Sequence, residues 1–183
     1  MPKMTATSLD VCIVAIPETA GSALYGMKDV LMATGNIWQT LSRKEQQQTP
    51  FNVHIVSNRR EMFFCGNNIP IQPDSDFHHL ADSPDIVILP ELWLGPDEPL
   101  TGRYPELIAW IKTQHAKGAY IYSACSGAIM LAETGLLDAC DATSHWGYQD
   151  LFRKHYPKVR FKPEPNLAFA DTAGKIVTAG GTT

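Results

Sequence analysis

The stretch that decides the fold is Gly118–Gly135, GAYIYSACSGAIMLAETG. Its first part, Ala119–Ala124, is a short apolar run rich in β-branched and aromatic residues, which predicts a buried strand. From Ser126 onward the apolar residues recur on one side, which predicts a helix. Cys125 therefore lies at a strand-to-helix turn.

Small residues stand two positions before and two positions after this cysteine, at Ser123 and Gly127. A nucleophile elbow requires this spacing, because its backbone turns so sharply that bulky flanks would clash, and the central side chain points out above the sheet. The helix that follows offers unpaired N–H groups and a partial positive charge, which favour the thiolate. The alternative is a structural cysteine buried at an ordinary βα junction. The small-x-Cys-x-small context favours a cysteine that faces a pocket.

The composition limits the protein class. A length of 183 residues, with 44% hydrophobic and 19% charged side chains, predicts a single folded domain without disorder. The net charge of −4 and the scattered cations argue against nucleic-acid binding by this segment, because phosphate contacts need clustered Lys and Arg. Residues 1–8 lack the apolar core of a signal peptide, and no run approaches the roughly 18 apolar residues of a membrane helix.

The cysteines and histidines do not form a metal-binding pattern. The four cysteines show no CxxC and no zinc spacing, so we expect no metal, no cofactor and no disulfide framework, in a reducing cytoplasm. His78 and His79 stand close to Asp74 and Asp76, but Pro73 and the polar neighbours predict a surface loop there.

The remaining apolar runs alternate between strand and helix patterns. Helices are predicted at Ser22–Trp38 with Ser22 as N-cap, at Tyr104–Lys117 and at Trp146–His155. Strands and hairpins are predicted at Leu9–Ile16, Phe51–Ser57, Glu61–Cys65, Ile69–Gln72, Asp85–Leu89, Lys158–Lys162, Leu167–Ala170 and Lys175–Ala179. This alternation predicts an α/β fold with a doubly wound, mostly parallel sheet and helices on both faces.

Ligand sites in such sheets lie beyond the carboxyl ends of the strands. Three predicted turns follow strands, at Pro17–Gly21, Pro90–Gly95 and Ser123–Gly127. We expect them to converge on one crevice with Cys125 at its floor. The crevice residues Glu18, Glu91, Trp93, Ser126, Gly127 and Trp146 are the candidate ligand-binding set.

Four segments carry a resemblance to a known family: Ala124–Ala128, Leu131–Asp138, Ala142–Trp146 and Val177–Gly181. On these residues the chain resembles the ThiJ/PfpI, or class I glutamine amidotransferase-like, superfamily. Within it, the chain is most similar to the N-terminal domain of AraC-family transcriptional regulators. The resemblance implies a flavodoxin-like sandwich, often dimeric.

The enzymes of that superfamily use the elbow cysteine as nucleophile, and this chain departs from them in three places. Ser126 follows the cysteine where many relatives have His, which leaves His145 as the imidazole partner; the alternative is a histidine that only hydrogen-bonds the end of its strand. The acidic residue of the helix after the first strand corresponds to Ala23. Glu18 is a possible substitute, although a solvated loop carboxylate is the stronger expectation. Pro90–Trp93 replaces a Gly-Gly pair that allows close backbone approach.

These departures favour a binding pocket over an enzyme, with Cys125 and His145 as vestigial catalytic residues. The leading hypothesis is a cytoplasmic ligand-sensing and dimerisation domain of an AraC-type regulator, with an unidentified small-molecule effector. It has no membrane partner, and DNA is contacted only through a helix-turn-helix domain outside this chain. The alternative is a cysteine-dependent hydrolase or hydratase of the isonitrile hydratase kind. A third hypothesis is a stress-protection protein with an oxidisable cysteine.

The C-terminal residues predict that these 183 residues are part of a longer protein. Thr182 or Thr183 stands after the last strand as the N-cap of a further helix. Without that helix, one face of the sheet keeps an apolar patch beside the closing hairpin, available for self-association.

Overall fold

The computed structural model describes residues 8–44, 49–80 and 83–181. The strands are β1 (Leu9–Val14), β2 (Phe51–Ser57), β3 (Phe63–Cys65), β4 (Ile69–Ile71), β5 (Ser75–Asp76), β6 (Ile86–Leu89), β7 (Tyr120–Ala124), β8 (Asp141–Ala142), β9 (Arg160–Phe161), β10 (Leu167–Phe169) and β11 (Ile176–Ala179). The helices are α1 (Gly21–Ala33), α2 (Ile37–Leu41), α3 (Pro105–Ala116), α4 (Gly127–Glu133) and α5 (Gln149–His155), with a 3-10 helix at Trp146–Tyr148.

Seven strands form one sheet in the order β10-β11-β7-β6-β1-β2-β5. All neighbours are parallel except β10, which pairs antiparallel with β11 as the predicted closing hairpin. The strands β3 and β4 form the other predicted hairpin, and β8 pairs with β9 apart from the main sheet. The predicted flavodoxin-like, mostly parallel α/β architecture is confirmed.

Most of one face of the sheet is covered by helices. Buried side chains of α3, α4 and α5, such as Ile111, Ile129 and Phe152, pack there against Val87 and Ile121 of the central strands. The strands β6 and β7 are central in the sheet, which agrees with their apolar sequences, because a strand inside an α/β sheet carries apolar residues on both sides.

The opposite face of the sheet has two halves that differ in how they are covered. A single row of paired residues runs across both halves. The row crosses six strands in the order Ile55, Ile13, Ile88, Tyr122, Val177 and Phe169. At one end α1 and the β3–β4 hairpin cover it, so that Ile13 is completely buried. At the other end Phe169 is 59% exposed.

We call the part of this face on β7, β11 and β10 the bare half and the part on β2, β1 and β6 the covered half. Leu167 and Phe169 of β10 and Tyr120 of β7 are all exposed in the bare half. No element within the described ranges packs over them. The predicted apolar patch beside the closing hairpin is therefore present.

Two predictions about α1 are wrong. The helix starts at Gly21, with Ala20 in the N-cap position and no side-chain cap, rather than at Ser22. It ends at Ala33, because Thr34 is extended and Gly35 has a φ of +84°, a left-handed conformation that glycine adopts without strain. Ile37–Leu41 is consequently a separate short helix, and Trp38 is 71% exposed.

A third difference concerns the acidic and histidine cluster. His78 and His79 lie in an exposed turn as predicted, whereas Ser75–Asp76 before them is a two-residue edge strand beside β2. Asp76 accepts hydrogen bonds from Arg60 and from the backbone amide of His78, and its other side-chain partner is His79. No group of three His, Cys, Asp or Glu side chains in the described part of the chain is arranged to hold a metal ion.

None of the described helices is long and apolar enough to span a bilayer. The signal-peptide prediction for residues 1–8 falls almost wholly outside the described ranges. Thr182 and Thr183, the predicted caps of a further helix, also lie outside them.

Candidate functional site

Cys125 occupies the predicted strand-to-helix turn between β7 and α4 and has a φ of +51°. A non-glycine residue rarely adopts this conformation, and surrounding contacts must hold it there. The Cys125 amide donates to the Ala179 carbonyl at 2.9 Å, and its carbonyl accepts from the Ser144 hydroxyl at 2.7 Å. Strand β11 and the segment before His145 therefore fix the strained turn.

Gly127 shows why small flanking residues are needed. A Cβ atom at this position would lie 2.2 Å from the Leu89 carbonyl oxygen and 2.6 Å from that of Pro90. Both obstacles are backbone atoms at the end of β6, so they cannot move aside as a flexible side chain could. The glycine is required by this close approach, and a role in ligand contact stays a prediction.

The three loops expected to converge do lie together. The Ala20 amide donates to the Glu91 carbonyl at 2.8 Å, and the Trp93 amide donates to the Glu18 carbonyl at 2.6 Å. The Ser126 hydroxyl donates to the Leu92 carbonyl and accepts from the Leu92 amide, each at 2.7 Å. Ser126 is completely buried, so its hydroxyl joins the elbow to the loop after β6.

Burial raises the pKa of the Cys125 thiol, and the negative charge of Glu91 raises it further. The Glu91 side chain thus favours the neutral thiol, while the amide and hydroxyl of Ser126 favour the thiolate. The net direction is upward. The helix N-terminus was expected to favour the thiolate, but α4 has only seven residues and burial outweighs it.

Glu18 is neither a solvated carboxylate nor a partner of the thiol. Its side chain is 19% exposed, and one oxygen accepts from Arg103 at 3.0 Å. The other oxygen accepts from the Tyr104 hydroxyl at 2.5 Å. The carboxylate at the cysteine is therefore Glu91, from the loop after β6. Sequence reasoning selected Glu91 only as a ligand contact, because its position relative to the thiol depends on how two loops pair.

His145 is the N-cap residue of the 3-10 helix. Its Nδ1 accepts a hydrogen bond from the Gly147 amide at 3.1 Å, which leaves the ring proton on Nε2. The ring centroid lies 5.1 Å from that of Trp146 and 6.3 Å from that of Tyr148. A Cβ atom on Gly181 would come within 2.6 Å of the His145 ring. The hydrogen bond is to the following 3-10 helix rather than to the end of a strand, and proton transfer to Cys125 stays a prediction.

Three aromatic residues stand near the predicted crevice. Trp93 is 55% exposed and packs so closely on Gly66 that a Cβ atom there would lie 2.1 Å from its ring. Trp146 is 61% exposed. The Tyr148 hydroxyl donates to the Leu94 carbonyl at 2.9 Å, and burial followed by the charge of Cys125 raises its pKa. Tyr148 is therefore close enough to Cys125 for the two groups to interact electrostatically. Ser144, which holds the Cys125 carbonyl, carried no separate signal in the sequence.

Comparisons with known proteins agree with this geometry. The chain is 35% identical over 129 residues to the HTH-type transcriptional regulator CdhR of Pseudomonas aeruginosa, covering 70% of this chain and 36% of CdhR. It is 33% identical over 182 residues to isonitrile hydratase of Pseudomonas putida, covering 96% of this chain and 67% of that enzyme. The chain thus spans about a third of CdhR.

A structural match gives the same fold. The crystal structure of Drosophila melanogaster DJ-1beta superposes with a TM-score of 0.73 at 18% identity, covering 96% of this chain and 83% of that one. The DJ-1/PfpI family profile matches residues 27–183. The elbow cysteine, the sheet around it and these matches all lead to one conclusion: the chain belongs to the DJ-1/PfpI family.

Proposed function

We propose that this chain is the ligand-sensing and dimerisation domain of a cytoplasmic AraC-family transcriptional regulator, without catalytic activity of its own. The observation that carries the proposal is the state of Cys125. A cysteine nucleophile is activated by a lowered pKa or an adjacent base. Here burial and Glu91 raise the pKa of the thiol, so the side chain is neutral at physiological pH.

Similarity to CdhR, an HTH-type transcriptional regulator, supports the regulatory assignment. DNA contact requires a basic surface, and this chain has a net charge of −4. The regulator's DNA-binding helices therefore belong to a helix-turn-helix domain in a part of the natural protein beyond these residues.

The chemistry around Cys125 indicates the class of effector. Glu91 supplies a carboxylate whose charge acts on the thiol, and Tyr148 interacts electrostatically with both groups. Trp93 and Trp146 expose large aromatic surfaces on neighbouring loops. A carboxylate with aromatic faces suits a cationic or aromatic small molecule better than an anion.

A second function is supported by a specific observation. The chain aligns over 96% of its length with isonitrile hydratase, at 33% identity. In a hydratase of this kind, Cys125 would attack the isonitrile carbon and His145 would transfer protons. Glu91 would have to be protonated to assist, because as a carboxylate it opposes formation of the thiolate.

The experiment that tests the proposal is a turnover assay with the purified chain and the Cys125→Ser variant. Both are given an alkyl isonitrile, an ester and a primary amide. We expect no turnover by the wild type above the level of Cys125→Ser. Robust isonitrile hydration abolished by Cys125→Ser would overturn the sensor assignment and establish the hydratase.

The assignment to a transcriptional regulator is tested on the complete gene product. We expect roughly a hundred further residues containing two helix-turn-helix units. A complete product with no such units would contradict it.

A further inference from the structure

A polar cleft of about 380 Å³ lies over β1 and β2, on the face of the sheet that α3, α4 and α5 cover elsewhere. The strand residues that line it are Asp10 and Cys12 of β1 and Asn52 and His54 of β2. Asp10 and Asn52 are the second residues of their strands, whereas Cys125 follows the carboxyl end of β7. Small-molecule sites are typically clefts of about 300 to 1,000 Å³, so this space suits a small ligand of its own.

Several polar groups in this cleft have no hydrogen-bond partner among the described residues. Both ring nitrogens of His54 are unpaired there, and so is the Cys12 thiol, although Cys12 is only 3% exposed. One oxygen of Asp10 accepts from the side-chain amide of Asn52 at 2.8 Å, while its second oxygen accepts from no described side chain. Polar groups at such depth are normally hydrogen-bonded. The cleft is therefore equipped to hold a polar ligand.

The charge of the cleft is negative. Asp74 also lines it, and the Asp85 carboxylate accepts from the backbone amide of Asp10 at 2.8 Å. Lys28 neutralises one of these three carboxylates, because its ammonium lies 2.8 Å from Asp74. Burial, followed by the charge of Asp10, raises the pKa of Cys12 to about 12, so the field of Asp10 reaches the floor of the cleft. Such a field favours a cationic ligand.

The cation that fits is organic rather than a metal ion. Within the residues that the structure describes, no three His, Cys, Asp or Glu side chains are arranged to hold a metal. Asp74 already binds an alkyl ammonium, because one of its oxygens accepts from Lys28 at 2.8 Å and from the Ile55 amide at 2.7 Å. Against the effect of burial, Lys28 and this amide hold the pKa of Asp74 below its ordinary value. The carboxylate is therefore charged at neutral pH.

The two aspartates of the lining stand well apart. Asp10 pairs with Asn52 in the register of β1 and β2, and the Asp74 amide donates to the Ile55 carbonyl on the other side of β2. They are thus two strand spacings apart across the sheet and three residues apart along it, which is roughly 14 Å between their backbones. A single ammonium group does not reach both, but an aliphatic chain with an ammonium at each end does.

We propose that this cleft is a second binding site of the chain and takes a linear aliphatic diamine, with one ammonium group at Asp10 and the other at Asp74. The neutral His54 ring supplies a further acceptor on the strand between them. None of the crevice residues around Cys125 lines the cleft. The inference is therefore independent of whether that crevice senses an effector or performs catalysis.

The test is isothermal titration calorimetry of the 183-residue chain with cadaverine. The titration is done at pH 8, where an ordinary imidazole is neutral and an alkyl ammonium is charged. The ligand control is n-pentylamine, which has the same chain length and only one ammonium group. We expect one saturable site for cadaverine and binding of n-pentylamine weaker by about fivefold or more, because each charge-assisted contact contributes separately.

The contribution of each aspartate is tested with Asp10→Asn and Asp74→Asn. Each variant keeps a side-chain oxygen for Asn52 or for the Ile55 amide, and thermal melting by circular dichroism checks that it folds. We expect each to weaken cadaverine binding by about fivefold or more. The matched control is Asp150→Asn on α5, whose side chain is 83% exposed and lies outside the cleft, and it should bind cadaverine as the wild type does.

Four results would overturn the proposal. The first is the absence of saturable cadaverine binding, and the second is equal affinity for cadaverine and n-pentylamine. The third is an equal loss in Asp150→Asn, which would show general attraction to an acidic chain. The fourth is a loss in Glu91→Gln without one in Asp10→Asn, which would place the diamine in the crevice at Cys125. Isonitrile turnover by the wild type would contradict the sensor assignment and leave this site standing.

Discussion

The two halves of one sheet face differ in exposure although their strands look alike. The covered half contains β1 (LDVCIV) and β6 (IVIL), and the bare half contains β7 (YIYSA) and β11 (IVTA). Ile13 is completely buried, whereas Phe169 in the same row of paired residues is 59% exposed. Strand composition alone therefore does not indicate which half is covered. What decides exposure is the element that packs above each strand.

The candidate site lies where the two halves meet. Cys125 follows β7, the first strand of the bare half, while Glu91 follows β6 and Glu18 follows β1 in the covered half. The hydrogen bonds between Ser126 and Leu92 join the two sides. The environment of the thiol consequently depends on loops from both halves.

The largest expected effect is in the covered half. Ile13→Ala removes a completely buried side chain and leaves a cavity beneath α1, so we expect a loss of about 3 kcal/mol in the free energy of unfolding. Urea denaturation followed by circular dichroism measures it. The control is Val177→Ala in the same row, which we expect to cost less than half as much. Equal losses at the two positions would contradict the division into halves.

An intermediate effect is expected at the boundary between the halves. Because burial and the charge of Glu91 raise the pKa of Cys125, Glu91→Gln should lower that pKa. A lower pKa increases the small thiolate fraction present at pH 7.5, so alkylation by iodoacetamide should be severalfold faster there. The measurement is the rate at Cys125 from pH 6 to pH 10.

The matched control for this experiment is Glu18→Gln. Its carboxylate is held by Arg103 and Tyr104 away from the thiol, so we expect the pH profile of Cys125 to stay as in the wild type. Cys12 is an internal reference, since burial followed by the charge of Asp10 raises its pKa to about 12. If the pH profile of Cys125 changed in Glu18→Gln and not in Glu91→Gln, the assignment of Glu91 as the carboxylate at the thiol would be wrong.

The smallest effect is expected in the bare half. Phe169→Ala in the 183-residue chain should change the free energy of unfolding by less than about 1 kcal/mol, because its ring is already largely solvated. The same denaturation experiment measures it. A loss approaching that of Ile13→Ala would mean that the ring is buried in solution, and the comparison between the halves would fail.

Local sequence was enough to predict the elbow. The steric need for small residues around Cys125 acts over five positions, and the contact that demands Gly127 follows from the sharp turn itself. The strands β1, β2 and β7 were predictable for a similar reason, because an apolar run must be buried whatever packs on it. Two-residue β5 carries no such signal, because its conformation comes from pairing with β2.

The partners of the side chains in the site could not be predicted in this way. Glu18 and Glu91 both follow strands at the same edge, and nothing local distinguishes the carboxylate at the thiol from the one held by Arg103. Likewise, His145 accepts from Gly147 because the chain turns there into a 3-10 helix.

The sequence by itself determined the α/β sheet and the strained cysteine at its edge, because short-range sterics and the burial of apolar runs act within a few residues. Only the tertiary structure decided that Glu91 raises the pKa of that cysteine and that the described elements cover one half of a sheet face and not the other. Both depend on distances between segments far apart in the chain, which are fixed when loops and helices pack together.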